Sequence, residues 1–380
     1  MVPDIANHCP FCGMAIPKKK FAFNKYYLLG FMLILVGAYF LGSYYNKISP
    51  NPFLPTDTTT DNRPYLKSTQ TSQLIIDPFT PTAIIETTIP STNIPNTIIP
   101  TPLIVPSESP IGKIVYTCQT TKNDDRNQIC IMNADGSNQH RLTWNDHSNN
   151  WYASLSPDGN SIVFSSNQSG THEIYEMDID GNQTRLTSIG ELYAPEISPD
   201  GLLILFNQSK AHSSSIFLMN RDGSDPHSIY DSYDVDAVDP TWSPDGERIL
   251  FALGTNYGKK LYTMNILGSN LELVSDKFRT RGRSDWSPDG KQIAGYSGDE
   301  WQRKIFILNS DGSDLNLLLG EGNVQAPSFS PDGGWVAFTG YIDNPGDGNG
   351  CEIYIMRLRD KKIQKLTNND YCDWQPRWGR

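Results

Sequence analysis

The chain has 380 residues, 31 Lys and Arg against 42 Asp and Glu for a formal net charge of −11, and 38% hydrophobic residues. That acidic balance argues against nucleic acid or an anionic lipid surface as partner, and the length accommodates a domain with an ample core beside non-globular segments.

Residues 1–25 contain His8-Cys9-Pro10-Phe11-Cys12-Gly13. Two thiolates two residues apart suit a tetrahedral zinc, and the following glycine permits a tight turn. The string resembles one knuckle of a zinc ribbon. Cys9 and Cys12 are half a site, so zinc would need His8, a second chain or another protein; a metal-free tail is the alternative. Residues 26–45 carry no charge and are bounded by Tyr26-Tyr27 and Tyr44-Tyr45. About 20 such residues span the roughly 30 Å of a bilayer core, with the tyrosines as interfacial belts; a cleaved signal peptide is the competing reading. Lys18, Lys19, Lys20 and Lys25 precede the span, which puts the N-terminus in the cytoplasm and the rest outside. Residues 46–110 are rich in Pro and Thr without hydrophobic periodicity. They read as a disordered stalk, extended by its prolines.

Residues 111–380 are periodic. Ser-Pro-Asp-Gly recurs at 156–159, 198–201, 243–246, 287–290 and 330–333, and its residue order suits a type I turn. A β-branched and aromatic run follows each turn, as in Ser161-Ile162-Val163-Phe164-Ser165. A further strand follows in each unit, as in Ile174-Tyr175-Glu176-Met177, and a short outer segment can end in Arg185-Leu186-Thr187. Four strands per unit of this length make a propeller blade. Lys113–Thr117 enters as a second strand without a first, and Pro376-Arg377-Trp378 ends as a first strand without a second. The expected fold class is therefore all-β, a six-bladed β-propeller over 111–380 whose C-terminal strand completes the first blade, behind a transmembrane helix and stalk.

The string from Ser156 to Thr187, with its SPDG turn, EIYEMD strand and terminal RLT, resembles the repeat of TolB-type propellers. That resemblance implies a noncatalytic module of bacterial envelopes that presents a central funnel to protein partners. Similar blades also occur in peptidases and polysaccharide lyases, so the resemblance ranks functions without choosing one. The α/β domain that precedes the propeller in TolB has no counterpart here, and the roles attached to it do not carry over.

Cys118, Cys130, Cys351 and Cys372 fall in the propeller, in the compartment expected to be oxidising. Strand positions favour Cys118 with Cys130 and Cys351 with Cys372, against free buried thiols. Aligning the repeats on the turn serine places Ser154, Glu196, Thr241, Asp285, Ser328 and Arg377 at one position facing the channel, with Tyr152, Ala194, Asp239, Arg283, Ala326 and Gln375 one step along the same face. Glu196, Asp239, Arg283, Asp285 and Arg377 are the candidate binding rim; the alternative is a water-filled channel whose charges pair with one another. No G-x-S-x-G elbow occurs, and the six histidines fall at unrelated repeat positions. The four carboxylates of the acidic loop Asp231–Asp239 could hold calcium or simply screen one another, and Asp343–Gly350 resembles a calcium loop but lacks the alternating spacing of an EF-hand and reads as a long hairpin loop.

The sequence thus predicts a single-pass bacterial cell-membrane protein whose propeller binds a protein or peptide, with no enzymatic role and no cofactor beyond possible zinc. An envelope enzyme using the acidic funnel and a transmembrane sensor are the alternatives.

Overall fold

The computed structural model describes residues 106–379 apart from 122–125, 146, 256–257, 300 and 343–349. The Cys9/Cys12 knuckle, the apolar segment 26–45 and residues 46–105 lie outside the described residues. Within them every regular element is a strand, and no helix is long and apolar enough to cross a membrane.

The strands in chain order are β1 (Lys113–Gln119), β2 (Asn127–Asn133), β3 (His140–Arg141), β4 (Asn150–Leu155), β5 (Ser161–Ser166), β6 (Glu173–Asp178), β7 (Gln183–Arg185) and β8 (Leu192–Ile197). Next come β9 (Leu203–Ser209), β10 (Ser214–Asn220), β11 (His227–Tyr230), β12 (Asp236–Trp242), β13 (Arg248–Thr255), β14 (Gly258–Asn265), β15 (Glu272–Leu273) and β16 (Asp285–Trp286). The last are β17 (Gln292–Ser297), β18 (Lys304–Asn309), β19 (Asn316–Leu319), β20 (Gln325–Phe329), β21 (Trp335–Gly340), β22 (Glu352–Arg357), β23 (Ile363–Lys365) and β24 (Asp373–Gly379). They form antiparallel meanders of four: β4 to β7, β8 to β11, β12 to β15, β16 to β19 and β20 to β23, with β24-β1-β2-β3 pairing the two ends of the domain. A single parallel pairing of Ser214 with Asp236 links two of the meanders into one eight-stranded sheet.

Each Ser-Pro-Asp-Gly turn closes the same way. The serine hydroxyl donates to the Asp Oδ1 at 2.5–2.7 Å and accepts the amide five residues on at 2.9–3.0 Å. The turn glycines have φ between 69° and 78°, where a Cβ is strained. The Arg-Leu-Thr ending is also structural. Thr187 Oγ1 donates to Glu173 at 2.6 Å and accepts from Ile174 N at 2.9 Å; Thr367 treats Glu352 and Ile353 identically, and Thr143 treats Gln128 and Ile129 likewise. The threonine therefore pins the outer strand to the head of the third.

Hydrophobic burial lies between sheets, as expected where each repeat cannot cover its own faces. Ile114, Met132 and Trp378 of the end-pairing sheet pack with Trp335, Ile353 and Ile355 of β21 and β22, while Val115, Ile129 and Ile131 pack with Ile162, Phe164 and Met177 on the other side. Outer turns approach the preceding sheet closely. A Cβ on Gly312 would stand 1.7 Å from the carbonyl oxygen of Val274, so neither φ nor space permits another residue there.

The repeat has one gap that the fold fills from elsewhere. Phe164, Phe206, Phe251 and Phe338 are buried at equivalent positions, each stacked or tilted against the aromatic residue opposite it in the next strand at 5.7–6.5 Å. In β17 that position is Gly295, opposite Phe306. Phe278, from the connection after β15, supplies the missing ring, stacked on Phe306 at 5.9 Å and packed with Leu261 and Trp286.

Residues 106–111, expected as stalk up to 110, fasten to the domain. Ser107 N donates to the second oxygen of the turn residue Asp332 at 2.7 Å, Trp335 Nε1 donates to Ser107 O at 3.4 Å and Trp378 Nε1 to Ile111 O at 2.7 Å. Glu108 pairs with Arg357 and Arg359. This strap lies on the face that carries the Ser-Pro-Asp-Gly turns.

Because Phe278 occupies a core position from within a loop, Phe278→Ala should cost about 3–5 kcal/mol, as for a buried strand phenylalanine. Guanidinium unfolding of the full-length protein checks this; a loss below about 1 kcal/mol, typical of an exposed loop residue, would show that the ring is not part of the core.

Candidate functional site

The channel is lined by the first strand of each sheet, and those strands are bulged. Register shifts interrupt β4, β8, β12 and β20 against their neighbours. Tyr152, Ala194, Asp239, Ala326 and Gln375 have φ between 51° and 58°. Left-handed backbone at non-glycine residues costs energy and re-aims side chains at bulges. Simple alternation therefore does not describe these strands, and the bulge separates the two rows of channel-facing residues into different environments.

The row nearer the Ser-Pro-Asp-Gly turns is internally paired. Arg377 of β24 reaches Glu196 of β8 at 2.8 Å and Asp285 of β16 at 3.1 Å, joining three sheets through one guanidinium. Glu196 Oε1 also accepts from Thr241 Oγ1 at 2.9 Å and Trp242 N at 3.3 Å. Asp285 Oδ2 accepts from Ser328 Oγ at 2.9 Å and Phe329 N at 2.8 Å, and Ser328 Oγ accepts from Trp378 N at 3.1 Å. Each acid thus also bonds the next meander along the chain. Burial disfavours the Arg377 charge, but Glu196, Asp285 and Asp239 more than offset this and its pKa is raised. Burial pushes the Glu196 carboxyl upward against the pull of Arg377. A cavity of about 380 Å³ opens on the turn side of this layer.

Arg283 and Asp239 lie in the other row. Arg283 is 4% exposed; it donates to the carbonyls of Gln375 and Ala153 at 3.3 Å each and lies over the Tyr152 ring at 5.6 Å. Burial and the nearby Arg377 charge lower its pKa to about 10. Burial raises the Asp239 carboxyl, opposed by Arg283 and Lys259. Gly282 is required beside them, since a Cβ there would stand 2.6 Å from Asp239 Oδ2.

Asp239 also lines a cavity of about 600 Å³ at the opposite mouth, walled by Tyr152, Tyr193 and Val238 and by the loops carrying Lys210–Ser213 and Asp234–Asp236. Sequence reasoning missed Tyr193 and the aromatic cluster packed against it. Trp151 stacks on His172 at 5.2 Å and approaches Tyr193 and Trp374 at 6.5 Å each. The signal was present: Trp151 and Tyr193 both stand five residues before a turn serine. Tyr193 donates its hydroxyl proton to Glu191 at 2.7 Å, so His172 Nδ1, 3.0 Å away, is the donor to that oxygen. Burial lowers the His172 pKa, opposed by the Glu191 charge.

Disulfides join Cys118 to Cys130 across β1 and β2, and Cys351 to Cys372 between the sheet of β22 and the approach to β24. Among the described residues no group of three or more His, Cys, Asp or Glu side chains is placed to hold a metal ion. Asp231 of the acidic loop instead pairs with Lys210 and Asp236 with Lys259.

Residues 97–234 and 187–340 match the family model described as the TolB beta propeller domain. The chain belongs to the TolB β-propeller domain family. Among solved structures it resembles TolB from Acinetobacter baumannii, with a TM-score of 0.60 at 22% identity over 70% of this chain and 66% of that one, so it spans just under two thirds of that TolB's length. The protein described as a TolB from Agrobacterium tumefaciens aligns with a TM-score of 0.55 at 18% identity, over 70% of this chain and 92% of that one. A chain of the nidogen/laminin complex aligns with 0.56 at 13% identity, over 70% and 98%. These likenesses establish the fold. No curated protein sequence matches the chain.

In this TolB-type propeller the Arg377 staple should behave as a buried ion cluster. Arg377→Met leaves two carboxylates without their cation and should cost about 3–5 kcal/mol. Adding Glu196→Gln and Asp285→Asn to that variant should recover most of the loss; chemical unfolding of the three proteins checks it, and an unchanged midpoint in Arg377→Met would remove the staple's structural role.

A second electrostatic outcome concerns Asp373, 2% exposed beside Cys372. Burial raises its pKa to about 7, with Glu352 adding to the rise and Asn369 opposing it; its Oδ1 has no partner. A carboxyl whose folded pKa is raised binds its proton more tightly in the folded state. Its stabilising effect is therefore complete below the unfolded value near 4 and is lost as pH rises toward 7. Thermal melts should show Asp373→Asn more stable than the parent at pH 8 and nearly equal at pH 4; equal melting temperatures at pH 8 would contradict the assignment.

Proposed function

We propose that this protein is a membrane-anchored, extracytoplasmic propeller of six blades that acts as a noncatalytic protein-binding module of the cell envelope. The observation that carries the reading is the division of the channel into an internally paired layer and an open mouth. Glu196, Asp285 and Arg377 bind one another and adjoining sheets, so they close one end of the channel electrostatically. Asp239, Tyr152, Tyr193 and the loops Lys210–Ser213 and Asp234–Asp236 surround a cavity large enough for a partner's side chains. Both oxygens of Glu196 are engaged, by Thr241 and Trp242 N on one side and Arg377 on the other. That arrangement favours binding over proton transfer, which requires a carboxylate free to exchange its proton.

The end-pairing sheet together with the five consecutive meanders supports the reading of six blades. The uncharged segment 26–45 supports the anchor, and the lysines before it support an outward propeller. Two disulfides suit an oxidising compartment. The strap at 106–111 joins the face opposite the mouth, so a tethered domain keeps its mouth clear of its own attachment.

Crosslinked capture from native envelopes tests the reading. The intact protein should enrich a specific protein partner, and a variant with Lys210→Glu, His212→Ala and Asp234→Arg, changed only in exposed mouth loops, should lose it at unchanged melting temperature. A partner captured equally by both forms would exclude the mouth. Thr58→Cys in the stalk should react with a membrane-impermeant maleimide on intact cells; labelling only after permeabilisation would reverse the topology.

A further inference from the structure

Two buried donors at the floor of the mouth lack acceptors. Tyr152 and Asp239 line both the mouth and a smaller recess of about 20 Å³, which Arg283, Tyr296, Ala326 and Trp374 help to enclose. That volume holds one oxygen-sized group. Trp374 is 2% exposed and Arg283 4% exposed, and among the described residues the Trp374 Nε1–H and the Arg283 Nε–H meet no acceptor. Buried indole and guanidinium donors are normally hydrogen-bonded, because an unmet one loses its hydration without return. Two such donors on one recess call for an acceptor oxygen there.

Charge decides what kind of acceptor fits. Arg283 lies in the field of Asp239 and Glu196, and Asp239 in that of Arg283, Lys259 and Arg377. Each already has its counter-charge, so the floor of the mouth needs neither an added anion nor an added cation. A carboxylate entering the recess would face Asp239 in a poorly screened space, and an ammonium or guanidinium would bring no acceptor. The oxygen is therefore best supplied by a neutral group. No N–H or O–H of the described residues donates to the Asp239 carboxylate, so a donor carried beside that oxygen also finds a partner.

We propose that the recess receives the oxygen of a primary carboxamide, as carried by an asparagine or glutamine side chain of a protein partner. The carbonyl oxygen accepts from Arg283 and Trp374, the amide nitrogen donates to Asp239, and the Tyr152 and Tyr193 rings flank the stem in the mouth. A carboxamide places its acceptor and its donors on separate atoms of one uncharged plane. That division matches a one-oxygen recess beside a carboxylate that also lines the mouth. A hydroxyl concentrates both roles on the single atom inside the recess. This inference rests on the reading of the mouth as a binding surface.

Indole N–H spectra of the full-length protein in detergent, carrying isotope-labelled tryptophan, test it with propionamide, propionate and propanol as probes of similar size. Propionamide should shift one of the eight indole resonances saturably, with a dissociation constant on the order of 10 mM, and that resonance should be the one missing from Trp374→Phe. Propionate and propanol should bind at least about tenfold more weakly. In Asp239→Asn, where a neutral side chain no longer repels an anion, propionate should gain about fivefold or more relative to propionamide; an unchanged ratio, expected of a merely structural Asp239, would overturn its role. No saturable shift with propionamide, as for a recess filled by structural water only, or an equal or larger response to propionate or propanol in the parent, would overturn the proposal, and that comparison holds even where a variant fails to fold. A protein captured from envelopes through the mouth equally by the parent and by Trp374→Phe would overturn the carboxamide assignment while leaving the binding-module reading in place.

Discussion

The pairing of β24 with β1 is the constraint on which the rest of the domain depends. Ile114 stands opposite Trp378 and Val115 opposite Arg377, so residues more than 260 positions apart in the chain complete one sheet. Because the apolar clusters lie between sheets, no sheet covers both of its faces until its two neighbours are present. Closure covers the last exposed faces and gives β1 a partner on its channel side. The long sequence separation also makes this contact entropically late, since nothing local rewards it.

The same strand sets the channel. Arg377 belongs to β24, and closure carries its guanidinium to Glu196 and Asp285. Had the ring closed with a different register, the alternation of strand side chains would have turned Arg377 into the intersheet core. The bulges then divide the channel lengthwise. Residues on the turn side pair with one another across the channel, while two of the left-handed residues beyond them, Tyr152 and Asp239, line an open mouth. An internally paired layer and a receptive layer thus come from one repeated backbone device.

The most conspicuous motifs carry no ligand chemistry. Ser-Pro-Asp-Gly closes a turn through its own serine and aspartate, and Arg-Leu-Thr ties the outer strand to the third through threonine. Asp332 also offers its second oxygen to the strap at Ser107. Departures from the repeat are more informative. Gly295 replaces a core phenylalanine and is answered by Phe278, and Gly282 makes room for the Asp239 carboxylate.

By itself the sequence determined the all-β class, the turn positions, the strand order within a unit and the identity of Pro376-Arg377-Trp378 as a first strand without a second, because these rest on local turn chemistry and on a period visible in the residues. Strand alternation, a local rule, also put Glu196, Asp285 and Arg377 at one repeat position and Asp239 and Arg283 one step along, but the bulges break that alternation between the two rows. Which of these five neutralise one another and which remain open to a partner was decided only by tertiary structure. That outcome depends on distances across the ring between residues as far apart as Glu196 and Arg377, and on bulges whose left-handed residues, Tyr152 and Asp239 among them, have no common side-chain type to announce them. Phe278 was illegible for the same reason: a loop residue becomes core only when a particular cavity in a neighbouring strand lies beside it.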